Sequence, residues 1–88
     1  MITAMTLPHQ PVTLSPGQIA GLHEKLASLR HDVNNNLSLI SAAAELIRRN
    51  PESAGRLSHT LVEQPQKISE TIAQFSRDLE TALGITRP

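Results

Sequence analysis

From Ile19 to Ile47 apolar residues return every three or four positions: Ile19, Leu22, Leu26, Leu29, Val33, Leu37, Ile40, Ala44 and Ile47. That period commits the segment to an α-helix carrying one apolar stripe, because a strand would need strict alternation. A helix of roughly 30 residues is about 45 Å long at 1.5 Å per residue. So long a stripe must be covered by another helix along its whole length. The 3-4 rhythm slips once, with two successive steps of four between Leu29 and Leu37, around His31. Such a slip reads as a stutter in a heptad seam.

The helix ends are written with equal clarity. Ser15 is an N-cap, Pro16 suits the first helical position, and Gln18 completes a capping box. Leu14 and Ile19 stand where a hydrophobic staple would close. Asn50 serves as helix stop and as the next N-cap, followed by Pro51 and by Glu52, whose charge suits a helix N-terminus. A second stripe follows at Ala54, Leu57, Leu61, Ile68, Ile72, Phe75, Leu79 and Ala82, with Gly84 as C-terminal stop. Pro65 falls inside it, where the lost backbone hydrogen bond predicts a kink or a break. The expected division is a flexible arm over 1–14, a helical hairpin over 15–84 and a short tail over 85–88. A register set by a turn near Asn50 places Glu70 near the level of His31 and Pro65 near Asn36.

Two helices joined by so short a turn must run antiparallel. Phe75 is the sole aromatic residue among 88, and Cys is absent, so the core is aliphatic and lacks disulfides. One hairpin covers only one side of each stripe. The expected fold is therefore all-α: an antiparallel helical hairpin that dimerises into a four-helix bundle.

Charge excludes several functions. Eight basic and eight acidic residues cancel, without the basic concentration that nucleic acid requires. No apolar run reaches the roughly 20 residues of a membrane span, and the first residues lack the pattern of a secretory signal, so a cytoplasmic protein is expected. The histidines show no metal-ligand spacing, and no metal or cofactor is expected. The four glycines, Gly17, Gly21, Gly55 and Gly84, are isolated, so no glycine-rich nucleotide box is present.

The chemically loaded stretch is LRHDVNNNL, Leu29 to Leu37. Three successive asparagines weaken a helix, because their amides compete for backbone partners. At 100° per residue His31 lies about 200° from both Leu29 and Val33, which turns it away from the seam. Asn35 sits one turn further on the same face, Asp32 flanks it, and Asn36 borders the seam. A neutral imidazole is a nucleophile near pH 7, and phosphorus is a fitting electrophile for it. A carboxylate beside it can take or hold its proton, and an amide can bond a phosphoryl oxygen or a water.

This box resembles the phosphoacceptor site of the dimerisation and histidine-phosphotransfer domains of two-component sensor kinases. The nearest variant is H-D-x-x-N-x-L, which His31, Asp32, Asn35 and Leu37 match position by position. The segment AELIRRNPE is similar to the end of the first helix and the turn in that family, and the likeness spans roughly residues 20–83. The resemblance implies that His31 carries the phosphoryl group, Asp32 acts as base or holds the tautomer, and Asn35 positions water during dephosphorylation of a response regulator. Leu37 would be core. Many members carry proline where this chain has Asn36; the N-x-L variant lacks it too.

A sensor kinase also needs an ATP-binding domain, and these 88 residues contain none. The implied function is a stand-alone dimeric phosphotransfer module, exchanging phosphate with a receiver-domain aspartate or a kinase ATP-binding domain. The alternative is a non-catalytic protein that keeps the fold and binds a kinase or a response regulator. His59 and Glu63, four residues apart, read as a surface pair.

Overall fold

The computed structural model describes residues 7–85. Of the expected arm and tail, residues 1–6 and 86–88 lie outside that range. The described residues hold two long helices: α1, Pro16–Arg49, and α2, Ala54–Leu83, with a single 3-10 turn, Pro51–Ser53, between them. Residues 7–15 precede α1 without regular structure and are almost wholly exposed.

Capping explains the boundaries. The Ser15 hydroxyl accepts from the Gln18 backbone N–H at 3.1 Å, and the Gln18 side chain accepts from the Ser15 N–H at 2.8 Å. Both halves of the capping box are made. Asn50 closes α1 through its backbone N–H to the Leu46 carbonyl and, through its side chain, accepts from the Glu52 N–H. Arg48 and Arg49 sit in the last turn, where the helix dipole favours cations, and both bond the Glu45 carboxylate. Arg48 holds that carboxyl below its usual range. The first turn after Asn50 is 3-10 and not α, so the Pro51 signal opens a tight turn and α2 proper begins at Ala54. Gly84 ends α2 at φ 70°, in the left-handed region, and Ile85 N–H returns to the Glu80 carbonyl at 2.9 Å.

Pro65 neither breaks nor ends α2, which runs on through it to Leu83. The proline is exposed. It removes the one backbone bond that would run to the Leu61 carbonyl, and the helix continues across the gap.

Inside the chain the seam differs from the expected one. On α1 the half-buried and buried positions that fall on one stripe are Leu22, Leu29, Val33, Asn36, Ile40, Ala43 and Ile47. With Asn36 and Ala43 in the stripe the heptad has no stutter. Leu37 and Ala44, the expected seam residues, are exposed instead, and Leu37 is 47% accessible. On α2 the matching stripe is Leu57, Leu61, Gln64, Ile68, Phe75, Leu79 and Ala82. The slip in the sequence pattern thus marks a crossing from one apolar stripe to a second. The second stripe on α1, Ile19, Leu26, Leu37 and Ala44, lies about 70° round from the first at 100° per residue.

The α2 counterpart, with Ile72 exposed and Leu79 half-buried, is turned in the same sense. In an antiparallel pair that places both on one face of the hairpin. Ala43 is the one apolar residue among the described residues that is fully buried, at 3% accessible, and no large side chain is. The hairpin's own packing therefore leaves it without a closed core.

Gln64 breaks the apolar rule in the seam. It is 6% accessible, yet its Oε1 meets no donor. An unmet buried acceptor costs about 1–3 kcal/mol. Gln64→Leu is accordingly expected to stabilise the fold by about 1–2 kcal/mol, read by chemical denaturation. A loss of stability would show that the amide has a partner in solution.

Candidate functional site

His31 is midway along α1, exposed, and turned almost directly away from α2 by the helical period. Asn35, one turn later, is exposed on the same side, and its amide Nδ2 lies 3.3 Å from His31 Nε2. An amide nitrogen can only donate, so the ring nitrogen is the acceptor. The structure brings these two expected site residues together.

Asp32 stands apart from that pair. It is exposed and makes no hydrogen bond to His31. Its position, 100° round the helix, turns it toward α2, where it lines a cleft of about 380 Å³. Leu29 and Phe75 form the apolar part of that cleft, and Ser28, Glu70, Thr71, Gln74 and Asp78 supply polar groups. Lys25 Nζ reaches Asp78 Oδ2 at 3.6 Å across the two helices and borders both this cleft and a smaller one beside Gln18 and Ala82. Asp32, and not His31, is the residue that shares a cleft with Glu70.

The two faces of the hairpin therefore differ in kind. One carries the uncovered stripe of Ile19, Leu26, Leu37 and Ile72, and the other carries the polar cleft. His31 points away from α2 and does not line the cleft, whose α1 side carries Lys25, Ser28, Leu29 and Asp32. Leu39 and Leu46, 50% and 48% accessible, continue that side toward the turn.

The pairing of Lys25 with Asp78 was not singled out from the sequence. Its signal was available: once the register is fixed, the two charges fall on the same flank of neighbouring helices. Asn34 is exposed and Asn36 half-buried in the seam, so the three asparagines have three different surroundings. His59 does form the surface pair: its Nε2 is 2.6 Å from Glu63 Oε2, with Lys67 on the other carboxylate oxygen at 2.6 Å. Lys67 first, and His59 less strongly, hold the Glu63 carboxyl below its usual range. This exposed ladder fades as pH falls through that lowered value and adds little to stability at any pH.

Among the described residues no group of three His, Cys, Asp or Glu side chains is arranged to hold a metal. Among the same residues no helix is long and apolar enough to cross a membrane. In comparisons with known proteins, no family model, no curated protein and no solved structure matches the chain.

Proposed function

We propose that this chain is a homodimeric histidine phosphotransfer module of a two-component signalling system in the cytoplasm. His31 takes a phosphoryl group from a receiver-domain aspartyl phosphate, or from the ATP-binding domain of a kinase, and gives it to a receiver aspartate. The observation that carries this reading is the placement of His31: exposed at mid-helix, with its Nε2 3.3 Å from the Asn35 amide nitrogen. The resemblance of His31, Asp32, Asn35 and Leu37 to the phosphoacceptor box supports the same conclusion.

The dimer rests on surface area. The chain exposes 6736 Å² for a mass of 9.6 kDa, whereas a compact monomer of that mass exposes about 5,100 Å². The uncovered apolar side chains Ile19, Leu37 and Ile72, 55%, 47% and 47% accessible, are part of that exposed surface. In the proposed four-helix bundle a second copy covers Ile19, Leu26, Leu37 and Ile72, which makes Leu37 core and leaves His31 facing outward in both copies.

The test is transfer of label. Mixing the protein with a phosphorylated receiver encoded beside it should place an acid-labile, base-stable phosphoryl group on His31. Absence of label with every neighbouring receiver and kinase core would overturn the proposal. The separation of Asp32 from His31 favours a second reading, in which the same surface binds a kinase or regulator without transfer. That reading predicts complex formation with no label.

A further inference from the structure

We infer that Asn35, and not Asp32, sets the tautomer of His31, keeping the proton on Nδ1 and leaving the Nε2 lone pair for attack. The inference builds on the phosphotransfer reading, which gives the tautomer its purpose, but its physical content is measurable without any phosphate.

The atom of Asn35 that faces the ring is its amide nitrogen, 3.3 Å from Nε2. That nitrogen has hydrogens and no free lone pair, so Nε2 must accept. A neutral imidazole has one ring proton, which is then on Nδ1. An imidazole side chain left to itself prefers the opposite form, with the proton on Nε2. In that form Nε2 is a donor and cannot attack phosphorus.

The resemblance assigns the tautomer to the carboxylate next to the histidine. Here that carboxylate belongs to the cleft, and His31 has no other hydrogen-bond partner among the described residues. The one-turn spacing of His31 and Asn35 puts the amide on the ring without any help from α2.

The chemical step balances with this proton placement. The Nε2 lone pair forms the N–P bond while the O–P bond of the aspartyl phosphate breaks, its electron pair going to the aspartate carboxylate. The product ring is a cation that carries the phosphoryl group on Nε2 and the proton on Nδ1, and it returns to neutrality by losing that proton to water. Once Nε2 is occupied, the Asn35 amide loses its acceptor and is within reach of a phosphoryl oxygen. The residue is thus a positioning group before transfer.

The experiment is NMR of the ring nitrogens in full-length protein, about two pH units above the ordinary imidazole value so that the ring is neutral. Wild type, Asn35→Ala and Asn35→Asp are compared. A single net hydrogen bond shifts a tautomer ratio about fivefold. The Nδ1–H to Nε2–H ratio of His31 should therefore be about fivefold higher in wild type than in Asn35→Ala. In Asn35→Asp a carboxylate can only accept, so Nε2–H should dominate. Equal ratios in wild type and Asn35→Ala would overturn the inference. So would a wild-type ring shifted toward Nε2–H, the sign of an amide oxygen facing the ring.

Transfer rates should follow the competent fraction, falling about two- to fivefold in Asn35→Ala. A fivefold tautomer shift without any phosphoryl label would leave this inference standing and remove the phosphotransfer reading. Label without a tautomer shift would do the reverse.

Discussion

Leu37→Glu is expected to convert the proposed dimer to a largely unfolded monomer at micromolar concentration. Leu37 is 47% accessible within one chain and belongs to the apolar stripe that faces away from the cleft. Burying a leucine contributes about 2 kcal/mol, and in a symmetric dimer the substitution is made twice. The loss is then about 4 kcal/mol per dimer, roughly a thousandfold in the dissociation constant, before the cost of a charge at the interface is counted. Folding falls with it, since no large side chain in the described residues is fully buried in the hairpin itself.

Leu39→Glu is the control. Leu39 is just as exposed but lies on the cleft side of α1, so the dimer should persist. Light scattering and circular dichroism read both variants. A wild-type protein that is a monodisperse, folded monomer at micromolar concentration would contradict the four-helix bundle.

The second large effect is chemical. His31→Ala should reduce phosphoryl label from a receiver or kinase core by at least about a hundredfold, because the other side chains of the cluster are not nucleophiles toward phosphorus at neutral pH. Helix content and thermal stability should hardly change. His31 is exposed, packs against nothing on α2, and alanine is the better helix former. Residual label in His31→Ala would point to His23, His9 or His59. Of these, His59 is engaged with Glu63.

Much of this molecule could be read from its residues. Ser15, Pro16 and Gln18 define the start of α1, Asn50 the turn and Gly84 the end, because capping chemistry is local and needs only neighbours in sequence. The exposure of His31 and Asn35 on one face follows from the helical period alone. The seam was legible only in part. A leucine at position 37 outranks an asparagine at 36 in any hydrophobic pattern, so the pattern assigned Leu37 to the contact with α2. The chain instead places Asn36 there and leaves Leu37 outside. Apolar periodicity reports that a face will be covered, and it does not say by which helix.

Of the kink or break expected at Pro65, the break does not occur, since α2 continues through it to Leu83. The division of labour around His31 was hidden because Asp32 and Asn35 flank the histidine in sequence equally well. Only the side-chain positions show the amide on the ring and the carboxylate in the cleft.

The account stands on His31 being a phosphoryl acceptor, and one measurement addresses that directly. The wild-type protein is incubated with a phosphorylated receiver domain encoded in its neighbourhood, and phosphorus NMR and peptide mass mapping locate the group. The account predicts a phosphoramidate on Nε2 of His31, stable in base and lost in acid. A complex with the receiver but no phosphorus on His31, or phosphorus on another residue, would contradict it.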